Sequence, residues 1–139
     1  MSIRYLLDTN VLSEAIKSHP NERMLEHLSE HDEELATCSI VWHELSFGTA
    51  RLAASKKRRA IESYLDEAVR RILPILPYDQ EAATWHAKER ARLSKRGRPP
   101  SAADGQIAAI ASVNELIVVT ANVKDFRRFK DLVVEDWSG

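Results

Sequence analysis

Four carboxylates stand where surface acids are uncommon. Asp8 closes the short run Ile3-Arg4-Tyr5-Leu6-Leu7 and is followed by Thr9-Asn10. Glu44 lies within Ile40-Val41-Trp42-His43-Glu44-Leu45-Ser46-Phe47, among large apolar groups. Asp104 falls in the first turn of Ser101-Ala102-Ala103-Asp104-Gly105-Gln106-Ile107-Ala108-Ala109-Ile110, a segment apolar nearly all round. Asp125 comes after Leu116-Ile117-Val118-Val119, across Thr120-Ala121-Asn122-Val123-Lys124. Each has an ordinary reading: a turn or N-cap for Asp8, a solvated helix position for Glu44, the positive end of a helix for Asp104, a cap for Asp125. Gathered together they would be something else. Clustered carboxylates repel one another, and a cation is the usual remedy. An all-oxygen set without a Cys or His pair suits Mg²⁺ or Mn²⁺. Carboxylate-held hard metals are a standard device for cleaving phosphodiesters.

Alternating helical and strand-like segments predict an α/β fold with a mainly parallel sheet. Strands are expected at 3–7, 35–38, 75–76, 116–119 and 132–134. The pattern places helices at 11–16, after Pro20-Asn21, from an N-cap at Ser39 to about Ala53, and through Ile61–Ile72. Others are expected from Asp79 through Arg96, over 102–113 behind Ser101, and around 125–129. Asp8 and Asp125 then follow strands running in the same sense. Glu44 sits in the helix after the second strand, and Asp104 opens the helix that leads into 116–119. A parallel sheet can carry all four to one edge, where open α/β sheets form their ligand sites.

The 139 residues, 44% of them hydrophobic, are expected to form one globular domain over residues 1–139. No apolar run approaches the roughly 20 residues a membrane-spanning helix needs. The N-terminus shows no basic region followed by a long apolar stretch, so no signal peptide and no membrane association are expected. Cys38, the one cysteine, reads as a small core residue in a cytoplasmic protein. The net charge of −1 does not point to nucleic acid, but its distribution is uneven. Basic residues cluster at 56–59, at Lys88, Arg90, Arg92, Lys95, Arg96 and Arg98, and at Lys124, Arg127, Arg128 and Lys130. On a solvated helix face they need no function; beside a cleft they would form a phosphate-binding rim.

Four segments together carry a resemblance: Leu7-Asp8-Thr9-Asn10-Val11-Leu12, Trp42-His43-Glu44-Leu45-Ser46-Phe47-Gly48, Asp104-Gly105-Gln106-Ile107-Ala108-Ala109 and Val119-Thr120-Ala121-Asn122-Val123-Lys124-Asp125-Phe126. In this order the chain resembles PIN-domain ribonucleases of the VapC branch, the toxins of type II toxin–antitoxin systems, through the closing Val133-Val134-Glu135-Asp136-Trp137. The resemblance implies a three-layer α/β/α fold and a Mg²⁺-dependent endoribonuclease for structured RNA such as tRNA or rRNA, with Mn²⁺ as a substitute. It matches Asp8, Glu44, Asp104 and Asp125 to the catalytic acids. Asp8, Asp104 and Glu44 would hold the metal, with Thr120 and Asn122 as the polar residues beside them. Arg90, Arg92, Lys95, Arg96, Arg98, Lys124, Arg127 and Arg128 would grip the RNA. Hydrolysis of this kind leaves 5′-phosphate and 3′-hydroxyl ends and needs neither a His base nor attack by a 2′-hydroxyl. It further implies a homodimer and a VapB-like antitoxin whose C-terminal segment fills the groove. Many relatives carry Asp where this chain has Asn122, which puts a second metal in doubt.

Rival readings differ in chemistry. A catalytically weak PIN-like module that binds RNA or antitoxin would not need four acids. An aspartate-nucleophile phosphatase using Asp8 would want an acid two residues on, where Asn10 stands. His27 and His31 have zinc-ligand spacing, yet Leu28-Ser29-Glu30 between them lacks a metalloprotease pattern and their helix reads as solvated. His43 and His86 read as packed helix residues. Trp42, Phe47 and Trp85 are candidates for antitoxin or dimer contacts, with core packing the favoured role for each.

Overall fold

A computed structural model describes residues 2–139. Five parallel strands form one sheet in the order β3-β2-β1-β4-β5: β1 Tyr5–Leu7, β2 Leu35–Cys38, β3 Ile75–Leu76, β4 Ile117–Val119 and β5 Val134–Glu135. The helices that flank it are α1 Thr9–Glu14, α2 Glu22–Glu30, α3 Ser39–Ala50, α4 Lys56–Tyr64, α5 Gln80–Lys95, α6 Ala102–Val113 and α7 Val123–Phe126. A single π-helical turn, Leu65–Arg70, continues α4. The α/β architecture with a parallel central sheet is the one expected from the sequence.

The strands are short but fully buried where they matter. β1 pairs with β2 on one side and β4 on the other, in the registers Leu6↔Ala36 and Leu6↔Val118. Both faces of β1 are covered, which is why it is an unbroken apolar run rather than an alternating one. The core joins Leu6, Leu7, Val11, Val41, Val69, Ile107, Ile110, Val118, Val119 and Phe126. α6 is buried along most of its length because its Ala and Ile residues face the core on several sides. It packs closely on α5, and one glycine permits that approach: a Cβ at Gly105 would overlap the His86 ring.

Strand order fixes where a ligand can bind. From β1 the chain steps outward to β2 and β3, then returns to the other side for β4 and β5. The crevice between the carboxyl ends of β1 and β4 is therefore the topological switch point. Asp8 ends β1, and Thr120 ends β4 directly beside it.

Several expectations are corrected. α3 begins at Ser39, and the cap position falls on Cys38, which makes no side-chain cap bond. α3 also ends at Ala50 instead of near Ala53. α7 starts at Val123, earlier than expected, and β5 lies at 134–135, because pairing of Val118 with Val134 sets its register. Phe47 is 55% exposed, with the Arg51 guanidinium 4.8 Å above its ring, so it is no core residue. Trp42 and Trp85 do pack against the core. His43 is exposed, whereas His86 is buried and hydrogen-bonds the Tyr78 hydroxyl at 2.8 Å.

Candidate active site

Asp8 follows a strand and caps the helix that comes next. It is the N-cap of α1, accepting from the Thr9 N–H at 2.8 Å through Oδ1. Its own N–H donates to the Val119 carbonyl, which ties it to the end of β4. Its second oxygen accepts from the Thr120 hydroxyl at 2.8 Å and the Asn10 amide at 3.2 Å. Only 5% of Asp8 is exposed, and all of these donors are neutral. Burial therefore dominates, and the carboxyl titrates above its ordinary value despite the three hydrogen bonds.

The other acids arrive from three elements. α3 projects Glu44 toward the site, where its Oε1 accepts from the Thr9 hydroxyl at 3.2 Å. Ser101 caps α6 by accepting from the Asp104 N–H at 3.1 Å, which fixes Asp104 in the first turn. Glu44 and Asp104 also titrate high, first from partial burial and then from neighbouring negative charge: Asp8 and Asp104 act on Glu44, and Asp8 and Asp125 act on Asp104. Asp125, in the first turn of α7, thus joins the group through Asp104. Arg128 offsets part of the repulsion at Asp104. Cys38 lies close enough to feel Asp8 and Glu44, but burial mainly pushes its thiol up to about 11, leaving it inert.

Three polar residues build the framework, and two of them the sequence reading did not assign. Asn10 spans the crevice, donating to Asp8 and to the Thr120 hydroxyl at 3.2 Å while accepting from the Ala121 N–H at 3.0 Å. Thr9 links α1 to Glu44. Thr120 is fully buried, and its hydroxyl donates to Asp8. Asn122 is exposed, and its backbone N–H donates to the Thr120 hydroxyl at 3.0 Å. Its carbonyl accepts from the Asp125 N–H at 3.1 Å, so both contacts are made by its backbone.

The basic residues divide. Arg90, Lys95, Arg96, Arg98, Lys124 and Arg127 are exposed, near the end of α5, in the loop leading to Asp104, and on or just after α7 beside Asp125. Arg92 is a correction. Its guanidinium donates twice to Glu89, at 2.8 Å each, and once to the Arg128 carbonyl at 2.9 Å. Glu89 also accepts from the Lys130 N–H at 2.8 Å. This network straps the segment after α7 to α5. Arg128 bends back to the Asp125 carbonyl at 3.0 Å.

A cleft leads away from the acids. A cavity of about 180 Å³, lined in part by Thr9, Glu44, Ser13, Ile16 and Ile61, adjoins a larger one of about 610 Å³ lined by Ser13, Ile16, Lys17, Lys57 and Ile61. The two share Ser13 of α1, Ile16 just beyond it and Ile61 of α4, so one apolar groove with a basic rim opens beside Glu44.

Residues 5–132 match the PIN domain. The chain is 31% identical over 136 residues to the tRNA(fMet)-specific endonuclease VapC of Salmonella typhimurium, covering 97% of this chain and 98% of that protein. It belongs to the VapC family of PIN-domain ribonucleases. Its fold superposes on the FitAB complex bound to an IR36 DNA fragment with a TM-score of 0.89, at 30% identity and with 97% and 96% of the two chains covered. VapBC2 from Rickettsia felis, bound to a promoter DNA fragment, gives a TM-score of 0.83 at 29% identity, covering 99% of each chain. The strand order sets the ends of β1 and β4, with Asp8 and Thr120, side by side, and α3, α6 and α7 carry Glu44, Asp104 and Asp125. No helix among the described residues is long and apolar enough to cross a membrane.

Proposed function

We propose that this chain is the toxin of a type II toxin–antitoxin pair, a Mg²⁺-dependent endoribonuclease that hydrolyses structured RNA in the cytoplasm. One observation carries this reading: Asp8, buried with only neutral donors at the switch point of a parallel sheet, has Glu44 joined to it through Thr9 and Asp104 within electrostatic reach, with Asp125 beside Asp104. The all-oxygen donor set fits Mg²⁺, or Mn²⁺ in its place. Asp8, Asp104 and Glu44 would hold the ion. When bound, it supplies Lewis-acid polarisation of a phosphate oxygen and an activated water at neutral pH.

The remaining work falls to the chain's own residues. Thr120 and Asn10 hold the Asp8 carboxylate in one orientation, and Thr9 does the same for Glu44. Asp125 adds negative charge beside Asp104. Asn122 braces Thr120 through its backbone, and its neutral side chain adds no further carboxylate to the group. Arg90, Lys95, Arg96, Arg98, Lys124 and Arg127, with Arg128 closer to the acids, would bind RNA phosphates. Arg92, committed to Glu89, would act only by holding Arg128 in place. The apolar groove beside Glu44 suits a helical or extended antitoxin segment from a VapB-like partner, and an Arg from that segment would neutralise the carboxylates. Phe47, left exposed on α3, suits a contact with that partner or with the second copy of a homodimer.

RNA cleavage by the purified protein with Mg²⁺ or Mn²⁺ tests the proposal. Products with 5′-phosphate and 3′-hydroxyl ends are expected, and Asp8→Ala should abolish them. Equal cleavage by the variant would sink the assignment.

A further inference from the structure

We propose that His27, Glu30 and His31 form a second metal site, for a borderline transition-metal ion of the zinc class, at the opposite end of β1 from the acids. These residues occupy i, i+3 and i+4 of α2 and its C-cap, so they share one face. Each offers a donor atom, and the three lie within 4.8 Å of one another. Sequence alone reads both histidines as solvated; instead they are half-buried under the C-terminal segment. Their rings are nearly parallel, 7° apart, and each stacks on the Trp137 indole, at 5.2 and 5.4 Å. Trp137 is itself buried against Tyr5 at 4.9 Å. The imidazoles are therefore held by packing before any ligand arrives.

Two details point to an ion rather than to packing alone. His31 Nδ1 lies 2.8 Å from Glu34, whose other oxygen meets Arg4 at 3.3 Å. In neutral His31 that contact places the proton on Nδ1 and leaves Nε2 with its lone pair free, the arrangement by which a carboxylate prepares a histidine for metal. His27 Nδ1 is buried with no hydrogen-bond partner. A buried polar nitrogen left unpaired is costly, and an ion is one of the standard explanations for it. A His31–Glu34 ion pair accounts for neither the bare His27 nitrogen nor the convergence of Glu30. Two imidazoles and a carboxylate suit Zn²⁺ and leave a fourth position open; they do not suit Mg²⁺. All three ligands lie on α2 and its C-cap, and α2 is tied to the segment after β5 by the Trp137 stacking and by the Asn21 amide, which donates to the Ser138 carbonyl at 2.9 Å.

Co²⁺ added to the full chain, read by visible absorption and displaced by Zn²⁺, tests this. A band of nitrogen-ligated, low-coordinate Co²⁺ is expected in the parent and undiminished in Asp8→Asn. His31→Gln should abolish it, and Glu34→Gln should weaken Zn²⁺ about 10- to 100-fold. Circular dichroism checks that each variant is folded. Should His31→Gln unfold, Glu30→Gln, at an exposed position, is expected to weaken Zn²⁺ at least tenfold, on the order of losing a ligand's support. No band, a band unchanged in both His31→Gln and Glu30→Gln, or one lost only in Asp8→Asn would overturn the proposal.

Discussion

Asp8 and Glu89 are the two buried acids among the described residues, 5% and 7% exposed, and their surroundings could hardly differ more. Glu89 accepts two charge-assisted bonds from Arg92 and a third from the Lys130 backbone, and the Arg92 contact first of all draws its carboxyl below the ordinary range. Asp8 is equally hidden, has only neutral donors, and is driven up by burial. A buried charge with its partner in place holds a structure together. One without a cation is costly to keep unless something outside the chain supplies it. Surface exposure alone would not separate the two; the deeper desolvation of Asp8 and the partner of Glu89 do.

The largest expected effect comes from removing the unpartnered charge. Asp8→Asn should lower the RNA cleavage rate about a hundred- to ten-thousandfold, in line with the several kcal/mol of charge stabilisation that a catalytic metal provides. In chelator its denaturation midpoint at neutral pH should equal or exceed that of the parent, because no charge need then be buried. The same exchange at the partnered acid should do the reverse. Glu89→Gln is expected to cost about 1–2 kcal/mol of stability, discounted for solvent around Arg92, while metal affinity stays unchanged. Denaturant titration beside a cleavage assay separates the two behaviours.

Four acids were legible in the sequence because each lies at a local signal: a strand end, a capped helix start, an apolar helix. The caps at Asp79 and Ser101 were legible for the same reason. The residues that join the acids were not. Asn10 meets Thr120 across 110 positions and Thr9 meets Glu44 across 35, and no local period encodes such contacts. Arg92 misled because an i, i+3 pair with Glu89 looks like any surface helix pair until Lys130 and Arg128 close over it. The two-residue strand β5 was misplaced because its register comes from β4, not from its own pattern. The stacking of His27 and His31 on Trp137 brings together segments more than 100 residues apart, so the spacing was visible and the burial was not.

Two further effects sharpen the contrast. Gly105→Ala should destabilise by about 1–3 kcal/mol, because the new methyl must displace the His86 ring at the turn that carries Asp104. Thermal melts check it, and a cleavage loss larger than the stability loss explains would show that Asp104 has moved. The pH dependence in chelator should be the subtlest. Raised carboxyls bind more protons folded than unfolded, so Asp8, Glu44 and Asp104 oppose folding at neutral pH and oppose it less as pH falls toward the ordinary carboxylate range. Glu89 works oppositely: its contribution is full above the ordinary Glu value and is lost as pH falls through its lowered one. Any stability advantage of Asp8→Asn should therefore shrink on acidification, which midpoints measured across a pH series would reveal.

Mg²⁺ calorimetry on the parent, Asp8→Asn and Glu89→Gln tests the central claim most directly, since a His-rich site does not compete for that ion. Binding by the parent and by Glu89→Gln, with none by Asp8→Asn, is the expected result. Equal Mg²⁺ binding by Asp8→Asn and the parent would contradict the account.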